Sequence, residues 1–562
     1  MGGDSQIPRR EGSILAADDP YARVPQIFPV LTEDMVGRVA AFGAQEAVRR
    51  GQVLFRRGER HADFFVVLAG QVVITRTGDD GDDEILTIHE RGQFTGELDQ
   101  LNGRSLLVGA RALTDARLIR VAHRDVGALM AAEPDIGEIV VRAFILRRMG
   151  FLHHGHAGII ILGCATNADT LRLERFAIRN GYPMRLIDTA LDPEAAALLD
   201  EFGLDPGALP AVITPSRAVL LNPANPELAD HLGMTEAFDG AELWDLAVVG
   251  AGPSGLAAAT YAASEGLSTV IVEGVAPGGQ AGTSSKIENY LGFPTGISGE
   301  ALAARAQIQA LKFGARLAVS RMAVNLAGHG HHYRLTLEDG QTLTARSVIV
   351  AVGARYRRLE TPGFERFEGQ AIHYAATAME AKLCQGQTAV VVGGGNSAGQ
   401  AAVFLSRYAR HVHLLVRGQG LAATMSEYLI QRIMRSPHIT LHVESEITDL
   451  QGERTLTEVT WRHRVAGVET TVKAAHVFSM IGAVPNTEWL RDSLALDEKG
   501  FVLTGMPSAS RTSRSPYETE LPGVFAVGDV RSGSVKRVAA GVGEGSVVVQ
   551  AVHTYLEALT AA

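Results

Sequence analysis

Along this chain the spacing of apolar residues changes character twice. Over residues 45–123 short β-type runs (QVLFRRGE, DFFVVLAGQVVITR, DEILTIHERGQF, ARLIRVA) are separated by glycine-bearing turns. Regular short strands with turn signals predict an antiparallel jelly roll or barrel, with a helical stretch following from 124 to 149. Residues 157–236 then alternate. AGIIILG, MRLID, ALPAVITP and AVLLN read as strands, while 169–180, PEAAALLDEFGL and NPELADHLG read as helices, in the order βαβαββα. From residue 243 onward the unit is an apolar run, a glycine turn, an alanine-rich helix and a second apolar run, met at 246–273 and again at 388–417. Residues 1–24 show no such period and read as a flexible tail.

The two glycine turns carry the candidate chemistry. In LAVVGAGPSGLAAATYAASEGLSTVIVE, Gly250 allows the turn, Gly252 lets a pyrophosphate approach the backbone, and Gly255 lets helix pack on strand. Pro253 and Ser254 open the helix, whose positive end faces the phosphates, and Glu273 stands where an acid accepts ribose hydroxyls. A glycine triplet alone also marks ordinary tight turns; here the strand, the helix and the acid accompany it. Gly393, Gly395 and Ala398, with Asn396 and Ser397 between them, repeat the logic. One chain therefore carries two dinucleotide sites of different detail.

Composition narrows the picture. With 562 residues the chain has room for about three or four domains. Net charge is −10 and no stretch is strongly basic, so nucleic acid is not an expected partner. No apolar segment reaches the ~18–20 residues that span a bilayer, and MGGDSQIPRREGS lacks the apolar core of a signal peptide. Cys164 and Cys384, the two cysteines, match no disulfide or zinc spacing, so a cytoplasmic protein is expected. HHGH at 153–156 has no carboxylate or cysteine at ligand spacing and reads as a linker; GHGHHY at 328–333 reads as a hairpin loop. No metal site is expected.

Three resemblances follow from these residues. Residues 25–150, with GQFTGELDQLNGRSLLVGARA, resemble the cyclic-nucleotide-binding domain. That family's Gly-Glu-Leu segment offers a carboxylate to the ribose, and an Arg with a small neighbour grips the cyclic phosphate; Gly96, Glu97, Arg104 and Ser105 match those types. Glu97 and Arg104 are closer together than the family's usual gap, which implies a trimmed phosphate helix and leaves two readings, a nucleotide site or a fold without its ligand. Nothing after Met149 resembles a helix-turn-helix. Residues 156–236 resemble thioredoxin and glutaredoxin, with Pro210 at the position of the family's cis proline. The reactive cysteine pair is absent. Cys164 is either a thiol activated near a helix start or a small residue ending a strand, and the segment is a spacer, a docking surface or a dimer contact.

Residues 243–562 resemble the low-molecular-weight thioredoxin reductases. APGGQAGTSSKIENYLGFPTGISGEAL is similar to that family's second flavin-contacting segment, so Gly278, Gly279, Gln280, Thr283 and Asn289 are expected to border FAD. VIVAVGARYRR at 348–358, which contains Gly353, resembles the strand and turn that pass the chain between domains. In LPGVFAVGDVRSGSVKRVAAGVGEGSVVVQAV, Gly528 and Asp529 match the residues that hold ribitol and pyrophosphate, and Arg537, Val538 and Ala539 those at the isoalloxazine edge. The resemblance implies an FAD domain at 243–362 and 486–562, interrupted by an NAD(P) domain at 363–485, and a homodimer. The fold class expected is α/β: two Rossmann-like dinucleotide-binding domains, preceded by a β-jelly-roll domain and a thioredoxin-like α/β domain.

Two departures bear on function. The family's Cys-x-x-Cys falls in HYAATAMEAKLC, where Ala376 and Met379 occupy the two positions; Cys384 reads as a buried structural cysteine. A methyl or a thioether cannot relay reducing equivalents by thiol exchange, so the family's route to thioredoxin is closed. At the adenosine end the family's cationic HRRxxxR clamp reads VRGQGLAA. Arg417 survives, Gly418 and Ala422 replace the other arginines, and no acid takes their place, so weak selectivity between NADH and NADPH is expected. The electron acceptor stays open among a protein, as in the similar ferredoxin/flavodoxin-NADP reductases, a thiol in trans with Cys164, a quinone and dioxygen. The competing class is a redox or cyclic-nucleotide sensor with little turnover.

Overall fold

The computed structural model describes residues 24–560 except residue 61 and the segments 78–82, 97–104, 155–157, 236–237, 239–241, 285–286, 369, 454 and 506–514. Two antiparallel sheets form the N-terminal jelly roll. One runs in the order Ala44–Val48, Ala116–Val121, Phe64–Ala69, the other Val53–Phe55, Gly109–Ala112, Val72–Thr77, Asp83–His89. The run FFVVLA has no polar face because its alternate residues enter two cores. Phe65 and Val67 pack with Val72 and Ile74 of the second sheet, while Phe64 and Val66 pack under the helices that follow. Those helices are two, His123–Ala132 and Pro134–His154, where one stretch was expected. Pro134 cannot donate a backbone bond and forces Glu133 out of helical geometry, to φ −122° and ψ 76°.

The middle segment has the expected order βαβαββα. Its sheet runs Val219–Leu221, Ala211–Ile213, Ile159–Gly163, Met184–Asp188, and only the last pairing is parallel. The Leu209–Pro210 peptide is cis. Helix Ala168–Arg179 starts at Asn167, whose Oδ1 accepts from the amides of Asp169 and Thr170, and it buries Leu171, Leu173, Phe176 and Ala177.

The remainder is two Rossmann-like halves, one inserted in the other. The first sheet orders Arg316–Val319, Thr269–Glu273, Leu243–Val249 and Thr342–Val350 in parallel. On the free side of Thr342–Val350, Val524–Ala526 pairs with its end (348–350) and the hairpin Ala323–His329/His332–Leu337 pairs with its start (342–345). GHGHHY is the turn of that hairpin, and among the described residues no group of histidines, cysteines and carboxylates could hold a metal. The HHGH side chains lie outside the described residues. The inserted half is a parallel sheet in the order Ile372–His373, His476–Ser479, Thr388–Val392, His411–Leu415, Ile439–His442. It is extended by an antiparallel sheet of Ser445–Gln451, Glu458–His463 and Glu469–Lys473. TAVVV is buried at all five positions, as befits a strand covered on both faces. The chain leaves and re-enters the first half through one ribbon, Ala354–Tyr356 paired with Ala483–Pro485. Among the described residues no helix is long and apolar enough to cross a membrane.

Candidate functional site

The first glycine turn is packed so tightly that its sequence is forced. A Cβ on Gly250 would lie 2.4 Å from the Ala351 carbonyl oxygen, and one on Gly255 would lie 1.9 Å from the Gly250 carbonyl oxygen. Around Gly252 the nearest atom is 4.0 Å away, the Cα of Gly279, so the backbone there has open space in front of it. Helix Pro253–Ser264 begins at this point and Gly252 supplies no side-chain cap, which leaves its first amides for a ligand. Glu273 ends the second strand as expected, but both its oxygens hold the loop. Oε2 accepts from Ala251 N (2.8 Å), and Oε1 from Val275 N (2.9 Å) and Ala276 N (3.2 Å).

Tertiary folding gathers the other expected flavin residues around this turn. Gly278 N donates to Ala251 O at 2.7 Å, and a Cβ on Gly279 would meet Gly252 Cα at 3.1 Å. Gln280 donates through Nε2 to the Ala354 carbonyl, Thr283 Oγ1 donates to Gln280 O (2.8 Å), and Gly353 turns the chain at φ 61°. Ser254 is buried between the C-terminal motif and the last helix, Val538–Thr560. Cβ atoms on Gly528 and Gly541 would stand 2.2 and 2.5 Å from its Oγ, and one on Gly545 would stand 2.2 Å from its carbonyl oxygen. Asp529 lies half-buried beside it, its carboxyl pushed above the usual range by desolvation, against which Lys536 acts and to which Glu544 adds. Arg537 and Ala539 are exposed at the start of the last helix, Val538 is half-buried, and Asn289 is exposed. The residues fit a dinucleotide with a ribitol chain: a cradle that only glycine leaves open, and a desolvated carboxyl with no hydroxyl partner among the described residues.

Sequence reasoning missed the brace behind Asp529. Glu544 Oε2 accepts from Gly528 N (2.7 Å), and its Oε1 accepts from Arg531 Nη2 (2.7 Å), with the pair 10 % and 19 % exposed. Attention to the polar residue interrupting the apolar helix 538–560 would have found it.

The second turn is built alike. A Cβ on Gly393 would meet Met480 O at 2.3 Å, whereas Gly395 has nothing nearer than Thr424 O at 4.0 Å. Ala398 is buried, Ser397 is exposed, and Asn396 Oδ1 accepts from Ser426 N at 2.7 Å. Arg417 is not alone. Its guanidinium lies 3.9 Å from Glu446, and Arg462, on the strand Glu458–His463, and Arg464, in the turn after it, each lie 3.6 Å from the same carboxylate. Three cations thus meet one anion beside Arg417, joined by residues too far apart in sequence to form a motif.

At the place of the missing dithiol, Ala376 is buried in the inserted half's core, and the buried Cys384 thiol is pushed up to about 12 by desolvation and by Glu380. Cys164 is half-buried at the end of its strand, its Sγ 3.2 Å from Thr166 Oγ1. In the jelly roll the Gly96 carbonyl accepts from Arg147 Nη1 (2.7 Å), and Ser105 packs on Gly233 of the middle segment, where a Cβ would lie 1.9 Å from its Oγ. Glu97 and Arg104 lie outside the described residues.

The middle segment is fastened to both Rossmann halves. Arg179 donates to Gly279 O (3.2 Å) and Asn180 to Val275 O (3.1 Å) of the first half; Arg175 pairs with Glu380 (3.4 Å) of the inserted half. A directed chain of bonds starts there. The Leu383 carbonyl can only accept, so His476 Nε2 donates to it (3.1 Å). His476 Nδ1 then accepts from His373 Nε2 (3.1 Å), and His373 Nδ1 accepts from Arg175 Nη2 (3.3 Å). Both imidazoles are neutral. Burial holds each below the ordinary 6.5, and for His373 the charges of His476 and Arg175 add to it. Below 6.5 the unfolded chain binds protons that the folded chain refuses, so this contribution is complete above that pH and is lost on acidification. Below pH 6.5 stability is expected to fall by up to about 1.4 kcal/mol per pH unit through His373, with a smaller share from His476. Urea unfolding between pH 7.5 and 5.5 measures it, and His373→Gln should flatten the slope.

Comparison with known proteins agrees with this architecture. The profile for "Pyridine nucleotide-disulphide oxidoreductase" matches residues 244–545, and that for "Cyclic nucleotide-binding domain" matches residues 45–133. Thioredoxin reductase of Mycolicibacterium smegmatis is 35 % identical over 319 residues, 57 % of this chain and 92 % of that protein. NADPH-dependent thioredoxin reductase 3 of Arabidopsis thaliana is 34 % identical over 323 residues; the match spans 56 % of this chain and only 58 % of the plant protein. Among solved structures, T. acidophilum thioredoxin reductase aligns with TM-score 0.52 and 28 % identity, covering 56 % of this chain and 99 % of that one. The chain belongs to the pyridine nucleotide-disulphide oxidoreductase family, as a thioredoxin reductase-like body for FAD and NAD(P)H behind a cyclic nucleotide-binding domain.

Proposed function

We propose that this protein takes hydride from NADPH and passes the reducing equivalents, by way of FAD, to an acceptor other than an internal dithiol. The observation that carries the reading is the pair Ala376 and Met379 where thiol exchange would need two sulfurs, with Cys384 buried and its thiol pushed up to about 12. Gly250, Gly252, Gly255, Gly528 and Asp529 would hold FAD, and Gly393, Gly395 and Asn396 would hold the nicotinamide nucleotide. The flavin, when bound, supplies hydride acceptance and electron transfer; the chain positions both nucleotides and sets the electrostatics. Homodimerisation and a cytoplasmic setting are part of the same reading.

The three-arginine cluster revises the expected indifference to NADH and NADPH. Guanidinium groups bind phosphate monoesters bidentately, and Arg417, Arg462 and Arg464 leave an excess of positive charge around Glu446. We read this as selection for the 2′-phosphate. Arg462→Ala/Arg464→Ala is expected to raise KM for NADPH about 10–100-fold while leaving that for NADH nearly unchanged. The reaction itself is tested by mixing the yellow protein anaerobically with NADPH. Rapid bleaching of the visible flavin band without reduction of added thioredoxin is expected; vigorous thioredoxin reduction would overturn the reading.

A second reading, modulation by a cyclic nucleotide, is favoured by one pair of neighbours. Arg147 holds the Gly96 carbonyl, and Arg148 donates to Gly181 O (3.0 Å) of the middle segment, so the jelly-roll loop and that segment share one helix turn. Binding of cyclic AMP or cyclic GMP by calorimetry, and a changed bleaching rate on adding either, test it.

A further inference from the structure

A cavity of about 660 Å³ lies where the jelly-roll helix 134–154, the middle-segment helix 168–179, the helix Gly299–Lys312 and the segment 372–382 meet. It is separate from the glycine cradles, but it shares Gly282 and Thr283 with the loop expected to border FAD, and it is lined by Ala375, Thr377 and Ala378, which flank the buried Ala376 at the place of the missing dithiol. Its size suits an organic molecule of a few rings. A folded protein cannot enter a void walled by elements from three parts of the chain.

One wall has the form of a shelf. Glu300, Ala303, Ala304 and Gln307 line the cavity at helical positions i, i+3, i+4 and i+7, so two alanines make a flat apolar strip between two polar ends about 10 Å apart. Ile145, Met149 and Ile178 form an apolar face of the same cavity. Glu300 has no hydrogen-bond partner among the described residues, and desolvation pushes its carboxyl above the usual range. Of the cavity's other charged groups, Arg148 donates to Gly181 O, Arg179 to Gly279 O, Arg175 pairs with Glu380, and Glu368 bonds Tyr374 and Arg358, while Glu174 and Lys382 line it from the middle-segment helix and the segment 372–382.

We propose that this cavity is a binding site for a small, flat, uncharged ring system with carbonyl oxygens, of the quinone class, laid on Ala303 and Ala304 with a carbonyl accepting from Glu300. The alanines offer a face with no side chain to displace, the aliphatic residues repel charge, and Glu300 and Gln307 supply donors at the ends. As the acceptor this class rests on the oxidoreductase reading, and the exchange then balances as NAD(P)H, one proton and quinone giving NAD(P)⁺ and hydroquinone.

Binding is measured on the oxidised holoprotein without reductant, which separates the site from the reaction. The probe is a naphthoquinone, titrated by calorimetry, with an aromatic ammonium of equal size in parallel. Saturable binding of the naphthoquinone is expected. It should weaken more than about 10-fold in Ala304→Trp, which covers the shelf, and about 5–10-fold in Glu300→Val, which removes the donor. Glu300→Gln, which keeps an N–H, should restore most of that loss. Flavin content and far-ultraviolet circular dichroism establish that each variant is folded, and Glu300→Val serves where Ala304→Trp is not. Absence of naphthoquinone binding, binding indifferent to both substitutions, or tighter binding of the ammonium would overturn the proposal. A naphthoquinone that binds as described to a protein NADPH cannot bleach would instead refute the oxidoreductase reading and leave the site standing.

Discussion

Gly255→Val is expected to yield protein that purifies almost colourless. The new Cβ would sit 1.9 Å from the Gly250 carbonyl oxygen, a backbone atom that cannot step aside without opening the glycine turn. Helix 253–264 would be lifted from the strand Leu243–Val249, and its first amides would leave the position in which they face the ligand. Overpacking of this kind costs about 3 kcal/mol or more, which is roughly a 100-fold loss of flavin affinity. The ratio of flavin absorbance to protein absorbance after gel filtration reads the effect. Gly543→Ala is the matched control: on the last helix a Cβ there has nothing within 4 Å, so a methyl adds helix propensity without a clash, and flavin content should not change.

Glu544→Ala should cost about 3–5 kcal/mol of stability, because it leaves two groups without their acceptor in a site that water scarcely reaches. The Gly528 amide would remain buried and unpaired, the part-buried Arg531 guanidinium would keep only its bond to Ser532 O (3.3 Å), and the turn that presents Asp529 would lose its brace. Glu544→Gln keeps one acceptor for the amide but gives up the ion pair, and should fall between the two. Thermal unfolding of the holoprotein, followed by release of flavin fluorescence, measures the series. A loss under about 1 kcal/mol in Glu544→Ala would mean that the pair is solvated and that another group holds the turn.

Much of the fold was legible because its signals are local. FFVVLA, TAVVV and the two strand–turn–helix units declare themselves within a few residues of chain, and so does the cis proline next to its strand. The single helix expected after the jelly roll became two because Pro134, sitting inside an otherwise helical period, outweighs that period. The adenosine end shows what a linear reading leaves out. VRGQGLAA was read for arginines in line, whereas Arg462, from a strand of another sheet, and Arg464, from the turn after that strand, are neighbours of Arg417 only in space.

The chain's own order of residues settled the two dinucleotide turns, the absence of a cysteine pair and the succession of elements. Each of these depends on contiguous atoms or on a simple count, which a linear text preserves. The tertiary structure alone decided that Ser254 is clasped by three distant glycines, that Glu544 stands behind Asp529, and that Arg175 bonds His373 of the inserted half, which in turn bonds His476. Such contacts join residues tens to hundreds of positions apart. No periodicity links them, and only the packing of one buried surface on another brings their polar atoms within bonding distance.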